Sequence, residues 1–170
     1  MRNLGVAMME YAADHDNQLP GRVTNNGDKW PLLLLPYTFG PAVYADPGDP
    51  VAMSVSPQEM VSNTGNNSSF FFNGFNDLGF YTNPNLTVRL VNIQNATNVI
   101  LLGQKIHGST QYYMDFVEGP NGNENDILNK TAYFEGSNYV FADGSARFIK
   151  ESDYNNQMWL VNQNYVIPTF

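Results

Sequence analysis

The segment from Asn138 to Ile149 constrains the fold most. An apolar run, Tyr139-Val-Phe-Ala142, meets Asp143-Gly144, and a second run follows in which Ala146 and Phe148 alternate with Arg147 and Ile149. Alternation on either side of an Asp-Gly pair predicts an antiparallel hairpin, with Asp143 and Gly144 supplying the positive φ angles of a tight turn. The turn role accounts for both residues without a catalytic one.

A helix is predicted over residues 3–16. Leu4, Ala7, Met8, Tyr11 and Ala12 recur at the spacing of one helical face. Arg2, Asn3, Glu10, Asp14 and Asp16 lie mostly elsewhere, and Pro20-Gly21 is expected to end the element. Gly5, Val6 and Met9 widen the apolar surface beyond one stripe. The helix is therefore expected to continue upstream into a more apolar segment.

Between helix and hairpin the chain reads as a loop-rich segment, then a β-rich part. Trp30 to Tyr37, bounded by Pro31 and Pro36, predicts a helical turn or two. Ala45 to Pro50 is a turn by composition, and residues 54–69 are a loop with a short helical turn near Pro57. Strands are expected from Phe70, across Thr87 to Ile93, across Asn98 to Ile106 as the central buried strand, and across Gln111 to Val117. One helix followed by antiparallel strands predicts an α+β fold, the N-terminal amphipathic helix packed on an antiparallel β-sheet. The 170 residues suit a single domain over 1–170: the helix within 1–18, the loop-rich segment 19–69 and the β-rich part 70–170.

Charge narrows the partners. Net charge is −8 with only 8 Lys and Arg and no basic run. Nucleic acid is excluded as a favoured partner, since phosphate binding needs clustered cations, and divalent cations are admissible. There is no cysteine, which excludes disulfides and thiolate metal sites.

The chemistry-bearing candidates are few. Asn121, Asn123, Asn125 and Asp126 place oxygen ligands at alternating positions, as calcium loops do, with a plain polar loop as the other reading. Asp14-His15-Asp16 offers metal-ligating types, but consecutive helical residues point about 100° apart and cannot converge. His107 has no nucleophile elbow beside it. The 16 carboxylates admit a glycosidase pair, whose separation the sequence does not give.

Four blocks resemble pilin-like proteins of the prepilin-type cleavage and methylation class, including type II secretion pseudopilins: Arg2 to Pro20, Trp30 to Tyr37, Val43 to Pro50 and Asn138 to Ile149. They occur in the family's order. Ala45 stands where the family often has Cys, and Tyr133 or its neighbours stand where a His often precedes Asp-Gly. The resemblance implies a structural subunit, not an enzyme. It would be the periplasmic or extracellular head of an inner-membrane-anchored protein of the bacterial cell envelope, acting in filament assembly or protein export. Leu4, Ala7, Met8 and Tyr11 would belong to the assembly helix. Partners would be other pilin or pseudopilin subunits and an exported protein or glycan, with membrane contact only through an apolar segment upstream of Met1. Related pseudopilins hold calcium in a late loop, which favours calcium at Asn121 to Asp126. The alternative function is a carbohydrate- or protein-binding module on the same scaffold, and a glycoside hydrolase comes third.

Overall fold

Helix α1 spans Arg2–Asp14 in a computed structural model that describes residues 1–62, 67–79, 86–116 and 122–167. Leu4, Ala7, Met8 and Ala12 are fully buried, as their spacing requires. The helix ends before Pro20-Gly21. Asp16 and Asn17 take positive φ values of 53° and 62°, which short polar side chains tolerate, and the Asn17 N–H closes on the Ala12 carbonyl at 2.8 Å.

The exit strand of this turn pairs with the segment expected to be a strand over Thr87 to Ile93. Only a single bridge forms there, Gln18 opposite Arg89, before a 3-10 turn takes over at Leu90–Asn92. The pairing partner is the short helix exit, so no ladder can propagate. Helix α2 (Trp30–Leu34) and a 3-10 turn (Leu35–Tyr37) pack against α1. Pro31 in the first turn costs no hydrogen bond there. Helix α3 (Pro57–Met60) starts at a capping box in which Ser56 and Glu59 satisfy each other's amides.

The strands are β1 (Phe70–Asn73), β2 (Ile100–Gln104), β3 (Tyr113–Met114), β4 (Gly136–Phe141) and β5 (Ala146–Lys150), with helix α4 (Glu124–Ile127) between β3 and β4. They form one sheet in the order β3-β1-β2-β4-β5. The central strand expected within Asn98 to Ile106 is β2, paired antiparallel to both β1 and β4. The sheet is mixed, which corrects the expectation of an antiparallel one. After β2 the chain crosses past β1 to the far edge, and β3 pairs parallel to β1 through Phe72 opposite Tyr113. Of the expected Gln111 to Val117 strand, Tyr113 and Met114 lie in β3, and Val117 lies outside the described residues.

Both faces of the sheet are covered. Phe70, Phe72, Leu102 and Val140 enter the core beneath α1 and α2. Phe71, Ile100, Tyr139 and Phe141 enter a second core with Trp159, Leu160 and Ile127. Double coverage explains why β1 and β2 are buried at every position and read as continuous apolar runs. The β4–β5 hairpin forms where Asp143-Gly144 predicts it, but the turn differs in detail. Ala142, Asp143 and Gly144 make a three-residue loop, closed by Gly144 N–H to Phe141 O and Phe141 N–H to Ser145 O, both at 2.9 Å. Gly144 alone takes the left-handed conformation, φ 81°, the pattern of a turn with a glycine bulge.

Candidate functional site

The four sequence blocks converge on the α1 side of the sheet. Gly5 of α1 lies against the hairpin turn: a Cβ built there would sit 2.4 Å from the Gly144 carbonyl oxygen and 3.2 Å from Val140 Cγ1. A Cβ on Gly144 would in turn meet Met9 Cγ at 2.8 Å. Two glycines, far apart in sequence, thus let the helix touch the turn directly. Leu4, Ala7 and Met8 point into this contact and the core, and Tyr11 is half-buried. The described face left open on α1 is Asn3, Val6, Glu10 and Ala13. Tyr11 stacks on His15 at 4.0 Å, and the Tyr37 hydroxyl lies 3.3 Å from His15 Nε2. Asp14, His15 and Asp16 are exposed, and the Asp14 carboxylate also hydrogen-bonds with Tyr37.

The third block is tied to the segment before β4. Asp46 is buried, and its Oδ2 accepts from the Tyr133 hydroxyl at 2.6 Å and from the Gln104 amide. Its Oδ1 accepts from Gly48 N–H at 2.8 Å, shaping the Asp46 to Asp49 turn. Gln104 Oε1 then accepts from Asn138 N–H at 2.8 Å. Burial and the Asp46 hydrogen bond both raise the Tyr133 pKa. Alongside lie Asp49, which accepts from Val51 and Ala52 N–H, and Lys105, both almost completely buried. Burial pushes the Lys105 ammonium down to about 8, opposed by the Asp49 carboxylate. A depressed lysine beside carboxylates is a recognised mark of a reactive site. The space among Asp46, Asp49, Lys105 and His107 is about 20 Å3, room for one water and not for a substrate. The network therefore fastens a turn to the sheet.

A second buried network binds the opposite edge. Arg22 Nη1 meets Asp115 Oδ2 at 3.2 Å, and Arg22 Nε donates to the Gly74 carbonyl at 2.7 Å. Asn76 also donates to Asp115, and the Asp115 N–H donates to Asn123 Oδ1 at 2.7 Å. Of the calcium candidates, Asn123 is buried with its amide oxygen already accepting, Asn125 and Asp126 are exposed on α4, and Asn121 lies outside the described residues. Among the described residues no group of three or more His, Cys, Asp or Glu is placed to hold a metal ion.

Sequence reasoning missed Arg22, Asp49 and Lys105. The one local hint was Lys105, which directly follows the buried run Ile100 to Gln104. No protein-family model, curated protein or solved structure matches the chain.

Proposed function

We propose that this chain is the globular head of a pilin-like or pseudopilin-like structural subunit that assembles through α1. One observation carries the reading: α1 is seated on the sheet by a glycine-to-glycine contact while its outer face, Asn3, Val6, Glu10 and Ala13, stays uncovered. A helix held rigidly from one side and open on the other can present the same face to every neighbour in a polymer.

The cysteine-free background makes a clean test. In cells making the full-length product, Val6→Cys should give disulfide-linked or bismaleimide-linked multimers, whereas Ser152→Cys, in the 3-10 turn Glu151–Asp153 that follows β5, should not. Multimers formed equally by both variants, or by neither while the protein accumulates in the envelope, would refute assembly through α1.

A further inference from the structure

The second face of the sheet carries a cleft of about 280 Å3 that the assembly reading does not use. It is walled by three separate stretches of chain. Asn95 and Asn98 come from the turn entering β2, Arg147 from β5, and Asn155, Gln157 and Gln163 from the segment around the 3-10 turn Asn156–Trp159. Ile149 and Met158 supply an apolar floor. In a chain of net charge −8 with 16 carboxylates, no carboxylate is among the described lining residues.

The backbone of the walls is fixed before any ligand arrives. Ala142 N–H donates to Val99 O at 2.8 Å and Asp143 N–H to Ala96 O at 3.2 Å, which ties the hairpin to the 95–98 turn. Arg147 donates to the Thr97 carbonyl, and its guanidinium carbon lies 3.4 Å from the Phe141 ring centroid. Gln157 N–H donates to Asn155 Oδ1 at 2.9 Å, and Gln163 Nε2 to Leu160 O at 2.6 Å. Trp159, stacked on Phe71 at 5.2 Å, anchors the same segment in the core. Among the described residues the side-chain amides of Asn98 and Gln157 make no hydrogen bond within the protein.

We infer that this cleft binds an uncharged saccharide of one or two residues. Each amide side chain offers a donor and an acceptor together, the combination that vicinal hydroxyls require. Ile149 and Met158 suit the C–H face of a sugar ring, and a lining in which polar side chains outnumber apolar ones suits a ligand rich in hydroxyls. Arg147 is the single cation among the described lining residues, and its guanidinium is already engaged by the Thr97 carbonyl and the Phe141 ring. A carboxylate-bearing ligand therefore gains little there over a hydroxyl. Preformed walls lower the ordering cost of binding. The inference is independent of assembly through α1, and its failure would leave that reading intact.

Saturation-transfer NMR and titration calorimetry with cellobiose, methyl β-glucopyranoside and N-acetylglucosamine test it, with galacturonate and trialanine amide as charged and peptide probes. At least one neutral sugar should bind with Kd on the order of 1 mM, weakened about tenfold by Gln157→Ala and also by Asn98→Ala, on a different wall. Both side chains are free of internal hydrogen bonds, so both variants should melt with the parent. The proposal is overturned by no neutral-sugar binding up to about 20 mM. It is equally overturned by binding that neither substitution weakens, or by tighter binding of galacturonate or of trialanine amide than of every neutral sugar.

Discussion

Gly5→Ala separates a glycine kept for contact from one merely tolerated. In an exposed helix interior this change stabilises by about 1 kcal/mol, because alanine is the better helix former. At Gly5 the new Cβ would lie 2.4 Å from the Gly144 carbonyl oxygen, where ordinary contact begins at 3.4 Å. The obstacle is backbone, so no rotamer change relieves it, and α1 must move off the hairpin by about 1 Å. Leu4 and Met8 lie in the same core as Val140, and that packing loosens with the shift. Overpacking of this kind costs about 1–3 kcal/mol. Set against the gain, the loss leaves a net destabilisation of up to about 2 kcal/mol, or a fall in Tm of up to roughly 8 °C for a chain of this size. Thermal melts followed by circular dichroism would read it. Ala13→Gly, on the exposed face, is the control and should lose about 1 kcal/mol by propensity alone. A rise in Tm for Gly5→Ala would refute the close approach of helix and turn.

Three further outcomes follow from the buried networks. Tyr133→Phe removes a donor to buried Asp46 and should lower the urea unfolding free energy by about 1–2 kcal/mol; an unchanged midpoint would mean that Gln104 alone holds the turn. Arg22→Met leaves Asp115 buried without its cation and should cost about 3–5 kcal/mol, with the charge-retaining Arg22→Lys recovering part of the loss in the same assay. Lys105 has its folded pKa lowered to about 8 from 10.5. Between those values the folded chain gives up a proton that the unfolded chain keeps, so this group's contribution to stability rises with pH across that window. Lys105→Met should flatten the rise, and urea midpoints that climb equally in both proteins would show that another group is responsible.

The elements that the sequence foretold are those set by short-range rules. The spacing of Leu4, Ala7, Met8 and Ala12 specifies a helix whatever lies beneath it, and Asp143-Gly144 between apolar runs specifies a reversal. The Val99 to Leu102 run is continuous and apolar because both faces of the strand it enters are covered, and it was legible as a central strand for that reason. The boundaries were less legible. Asp16 and Asn17 end α1 through left-handed backbone, a conformation open to Asp and Asn but not demanded by them. Thr87 to Ile93 has strand-like alternation, yet its neighbour is the exit of a helix, and no strand forms.

The amino-acid sequence by itself determined the helix, the hairpin and the central strand, and it ruled out any disulfide in a chain without cysteine. Only the tertiary structure decided that β3 runs parallel to β1, that Gly5 meets Gly144, that Tyr133 donates to Asp46 across 87 positions of sequence, and that Arg22 and Lys105 are buried. Periodicity and allowed backbone angles act over a few residues and leave a local trace. Which faces meet depends on the packing of distant segments, where an arginine or lysine takes its environment from partners that its sequence neighbours do not specify.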